Sequence, residues 1–88
     1  MTTTIYIHPA YTDQAGQCRI YATNELGDLN AADGYRARPN LWRDVGLMNS
    51  RGELVCFDGP REWRQTLVDS QPLMAGTTFT FGEPTLPG

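Results

Sequence analysis

A chain of 88 residues with 40 per cent hydrophobic side chains and a net charge of -3 fills one small domain, with enough apolar surface for a single core. That balance excludes wholesale disorder, and an isoelectric point near 4.8 gives no general attraction for a polyanion. No apolar run approaches the 18 or so residues of a membrane-spanning helix. Met1 to His8 reads as a strand and not as a basic leader, so a cytosolic chain is expected, in a host's cytosol if a phage encodes it.

The charge is unevenly spread. All seven basic residues are arginine, a side chain suited to forked hydrogen bonds and to stacking on rings. Asp13, Glu25, Asp28 and Asp33 face only Arg19 in the first 35 residues, whereas residues 36 to 64 carry six arginines against four acidic residues. Cys18 and Cys56 are the only cysteines, and their spacing demands neither a disulfide nor a metal. Both are expected to be reduced and to point inward.

In chain order, Thr4 to His8 alternates, with Ile5 and Ile7 on one face, so a half-buried strand ending at Pro9 is predicted. Ala10 to Gly16 reads as a loop, and Gln17 to Thr23 resumes the alternation as the partner strand of an antiparallel hairpin. Residues 24 to 42 are rich in turn formers, with Leu26, Leu29, Tyr35, Leu41 and Trp42 as scattered apolar anchors. This stretch is too long for a structureless connection, so it is read as an ordered excursion pinned by Tyr35 and Trp42.

Val45 to Met48 and Leu54 to Phe57 form a second hairpin pattern. Asn49-Ser50-Arg51-Gly52 between them supplies a turn former and a glycine able to adopt positive φ. Asp58-Gly59-Pro60 then starts a helix over 60 to 70, with Asp58 or Gly59 as its cap and Trp63 and Leu67 on one apolar stripe. Thr77 to Phe81 alternates as a last strand, and 83 to 88 is expected to fray. The predicted architecture is α+β in the order β-β-irregular-β-β-α-β, a single domain over residues 1 to 88. An antiparallel sheet of four to five strands carries one helix on a face. Its expected core is Ile5, Ile7, Ile20, Leu47, Leu54, Cys56, Trp63, Leu67, Phe79 and Phe81.

Catalytic patterns are missing. His8 is the only histidine, neither cysteine has an activating neighbour, and Ser50 and Ser70 lie at a turn and a helix end. Asp28 to Gly34 has the wrong register for a calcium loop, since the twelfth position is Pro39. The one strand-to-helix join, Asp58-Gly59-Pro60, lacks the grouped glycines of a phosphate cradle. No catalytic residue, metal or cofactor is therefore assigned.

What remains is recognition. Tyr35, Arg36, Arg38, Trp42 and Arg43 interleave guanidinium groups with aromatic rings, and Arg61 and Arg64 are possible neighbours; these residue types dominate protein interfaces. If the partner is itself basic, Glu25, Asp28 and Asp33 form the alternative contact set. A non-catalytic protein-binding module is expected, with an unidentified protein as partner. By analogy of size, acidity and a lysine-free, GC-rich coding pattern, its expected concrete form is an inhibitor carried by a bacteriophage or mobile element, of the anti-CRISPR or anti-restriction type. A virion or other structural assembly component, a single-stranded nucleic-acid-binding module and a small enzyme are the alternatives.

Overall fold

The computed structural model describes residues 2–11 and 16–82 and has an α+β architecture. Strands β1 (Thr3–Tyr11) and β2 (Cys18–Thr23) are followed by helix α1 (Ala31–Ala37) and a short 3-10 helix (Pro39–Leu41). Strands β3 (Arg43–Met48) and β4 (Leu54–Phe57), helix α2 (Arg61–Asp69) and strand β5 (Thr78–Phe81) complete the fold. All five strands pair antiparallel in one sheet, in the order β4-β3-β2-β1-β5.

The second hairpin closes as the turn chemistry dictates. The Asn49 carboxamide oxygen accepts from the N–H groups of Arg51 and Glu53, both at 2.9 Å, and Gly52 takes a φ of 79°. Gly52 also lies against Leu73, whose N–H donates to the Gly52 carbonyl at 2.7 Å. The loop after α2 is thereby tied to the hairpin turn. The predicted tail at 83–88 lies outside the described residues.

Alternation in β1 buries both sets of side chains, and this organises the molecule. Ile5 and Ile7 join Cys18, Ile20, Val45, Met48 and Leu73 in a core that α2 closes with Trp63 and Leu67. Fully burying a residue such as Leu67 contributes about 1.5 to 3 kcal/mol. Thr4 and Tyr6, on the opposite face, are also buried, and a second cluster unites Tyr6 with Ala31 of α1 and Trp42. Each helix thus covers its own side of the sheet, so the single helix expected from the sequence is one of two.

The excursion at 24 to 42 supplies that second cover. Asn30 caps α1 by accepting from the Asp33 N–H at 2.8 Å, which offsets one orphan donor of the first turn. Pro39 then opens the 3-10 helix, and Trp42 leaves it in extended conformation.

Several expectations are corrected. The first strand does not end at Pro9: β1 pairs with β2 again at Tyr11 and Cys18 after a register shift, and proline is tolerated at such an irregularity. Pro60, with no side-chain cap, occupies the cap position of α2, while the Asp58 N–H still donates to the Val45 carbonyl at 2.6 Å. Cys56 is exposed. A register shift between its partner Leu47 and Met48 leaves Leu54 opposite Met48 and Phe57 opposite Gly46, so Val55 is inserted and the alternation changes parity. Leu54 and Phe57 consequently face the core, while Cys56 shares the other face with Leu47 and Arg19. Leu47, Leu54, Phe79 and Phe81 are half-buried.

Candidate functional site

Among the described residues, five rings gather on the α1 side of the sheet. Tyr6 and His8 are two apart on β1 and share a face. Tyr21 lies opposite Tyr6 on β2, α1 supplies Tyr35, and Trp42 precedes β3. The Tyr35 ring centre is 4.6 Å from that of His8, 5.0 Å from Tyr21, 6.3 Å from Tyr6 and 6.0 Å from Trp42. Every one of these pairs is tilted or edge-on, the arrangement that ring quadrupoles favour.

The bulge of β1 fixes His8. Its Nδ1 accepts from the Ala10 N–H at 3.1 Å, so in the neutral imidazole Nε2 carries the proton and is a donor. Burial raises the pKa of Tyr6 above the ordinary tyrosine value, and the nearby Arg36 guanidinium offsets part of this. Tyr21 is raised as well, first by burial and then by a side-chain hydrogen bond with Tyr35. Beside Tyr21, the Arg19 guanidinium pairs with the Asp44 carboxylate.

The residues singled out from the sequence distribute over both sides of the molecule. Trp42 is buried and pins the cluster from below, Tyr35 is half-buried, and Arg36, Arg38 and Arg43 are exposed. Arg36 contacts Asp33 at 3.3 Å, with 78 per cent of its side chain still exposed. Arg38 caps the end of α1 through its backbone N–H to the Gly34 carbonyl. Arg61 and Arg64 lie on the outer surface of α2, across the sheet from this cluster.

The acidic alternative set is interleaved with the basic one. Glu25 and Asp28 are exposed in the segment leading to α1, and Asp33 stands on α1 itself, held by Asn30 Nδ2 at 2.8 Å and by Arg36. Glu25 and Arg38 line one shallow pocket with Leu26 and Trp42.

Sequence reasoning missed Tyr6, His8 and Tyr21, which alternation assigned to an outward face. The available signal was their shared parity: Tyr6 and His8 on one strand and Tyr21 on the next form an aromatic stripe on a face that would otherwise be polar. Among the described residues no three of His, Cys, Asp or Glu come together, and His8, half-buried, packs against the rings of Tyr6, Tyr21 and Tyr35. The arrangement offers stacking area and directed donors. No family model, curated protein or solved structure matches this chain.

Proposed function

We propose that this chain is a non-catalytic protein-binding module whose contact surface is the lobe formed by α1, the 3-10 helix and the start of β3. One observation carries the reading: Tyr35 is held among four other rings yet only half-buried, with the exposed Arg36 and Arg38 on the same lobe, while Arg43, paired with Ala22, faces the other side of the sheet. A ring already held by its neighbours loses little conformational freedom when a partner covers it. Arginine adds directional bonds around it, and tyrosine and arginine are the residues most enriched at interface hot spots.

The test is quantitative capture of interacting protein by the wild type and three charge-reversed variants. Arg36→Glu with Arg38→Glu should abolish capture of a stoichiometric partner while changing stability by no more than about 0.5 kcal/mol, as exposed substitutions do. Loss of capture only in Arg61→Glu with Arg64→Glu would move the surface to α2. Loss only in Glu25→Arg with Asp28→Arg would make the partner a basic one. Undiminished capture by all three rejects the reading.

A further inference from the structure

We infer that the groove between β1 and α1 receives a proline-rich, acidic peptide segment in the polyproline II conformation, an assignment of partner class that rests on the binding reading above. The groove has a volume of about 310 Å³. The buried Tyr6 and the neighbouring His8 and Pro9 line it from β1. Ala32, Tyr35 and Arg36 of α1, with Pro39, complete the lining, and Tyr35 meets His8 in ring contact at 4.6 Å.

Three properties of this lining select the occupant. The first is shape and surface. The His8 and Tyr35 rings stand at 60° to each other over Tyr6, whose centre is 6.0 Å from His8 and 6.3 Å from Tyr35. Fixed aromatic rings lining a groove offer apolar area on which pyrrolidine rings pack, and a polyproline segment is already ordered before it binds, so little entropy is lost.

The second property is the donor at the wall. A polyproline II backbone makes no internal hydrogen bonds and projects its carbonyls outward. His8 lines the groove with its Nδ1 already engaged by Ala10, which leaves the Nε2 proton as a donor for such a carbonyl.

Charge is the third. Arg36 lines the groove, and among the described residues no carboxylate does. Among the described residues its side chain pairs with Asp33, at 3.3 Å and well exposed, which leaves most of its five N–H donors for an incoming carboxylate. A basic segment would meet the guanidinium unfavourably, although the chain as a whole is acidic.

The experiment titrates the full chain with three synthetic hexapeptides, repeats of Pro-Pro-Glu, Ala-Ala-Glu and Pro-Pro-Arg, following backbone amide shifts and tyrosine and tryptophan fluorescence. The Pro-Pro-Glu peptide should give saturable shifts centred on His8, Ala32, Tyr35 and Arg36. The other two peptides, and the Arg36→Glu variant, should bind roughly fivefold more weakly, the effect of about 1 kcal/mol. Ala32→Arg, at an exposed helix position, should block binding without unfolding the protein. Equal binding of Ala-Ala-Glu, or shifts mapping elsewhere, overturns the inference. Absence of shifts with all three peptides also overturns it. In that case, partner capture that is lost in Arg36→Glu with Arg38→Glu leaves the binding reading standing, and capture that is not lost removes both.

Discussion

The His8 imidazole packs edge-on to the Tyr35 ring at 4.6 Å between centres, and this contact joins the bulge of β1 to α1. It links a strand position that sequence alternation turns outward to a helix drawn from the least regular third of the chain. The two residues should therefore be energetically coupled. In a double-mutant cycle of His8→Ala and Tyr35→Leu, read by urea unfolding, a coupling of about 0.5 to 1.5 kcal/mol is expected for an aromatic pair. Strict additivity would show that the contact contributes nothing.

Trp63 seals the opposite core. It is buried and stacks on Phe81 with ring centres 5.2 Å apart and an interplanar angle of 20°, so α2 is clamped to the edge strand β5. Trp63→Ala should cost about 3 to 5 kcal/mol, a large share of the roughly 4 to 13 kcal/mol available to a chain of this size. An unfolding midpoint close to wild type would contradict this packing.

The two thiols should behave differently. Cys18 is fully buried and Cys56 is exposed. A thiol-specific reagent added without denaturant should modify one cysteine per chain, identified by peptide mapping as Cys56, and the second only on unfolding. Protection of both would place Cys56 inside, against the register of β3 and β4.

Two tyrosines set an alkaline limit. Tyr6 and Tyr21 have pKa values raised in the folded state, chiefly by burial. Between the unfolded value near 10 and the raised folded values, the native state binds more protons than the unfolded state. The stability they contribute is thus fully present below about pH 10 and is lost as pH rises through the folded pKa values. Ultraviolet titration of the native protein should show tyrosines ionising late, and chemical stability should fall over the same interval. Phenolate formation by all tyrosines at the ordinary value would refute it.

Glycine replacements should rank by what surrounds them. A Cβ on Gly46 would collide with the backbone carbonyl of Cys56, whereas one on Gly34 would meet the terminal Cδ1 of Leu26, a side chain able to turn away. Gly46→Ala should destabilise by about 1 to 3 kcal/mol as overpacking does, and Gly34→Ala by less. Equal thermal midpoints for the two variants would count against this ordering.

Local chemistry made much of this fold legible. Asn49 and Gly52 specify their turn through an Asx hydrogen-bond pattern and a positive φ, both encoded within four residues. Ile5 with Ile7, and Trp63 with Leu67, declare a core face by spacing alone, because strand and helix periods are intrinsic to the backbone. The candidate site was legible in part: Tyr35 and Trp42 stand out as aromatic anchors among arginines.

Other features were decided by tertiary structure. Whether the face bearing Tyr6 and His8 meets water depends on α1 folding back over the sheet, and no period within β1 records that. The exposure of Cys56 follows from one inserted residue, Val55, in a pairing with β3 that alternation within β4 alone does not reveal. Arg61 and Arg64 are separated from Arg36 and Arg38 by the sheet itself, since the two helices pack on opposite faces. Sequence determined the elements and the faces they must bury, because those are short-range consequences of side-chain spacing. The tertiary structure determined which rings share a groove and which charges share a lobe, because these depend on contacts between segments far apart in the chain.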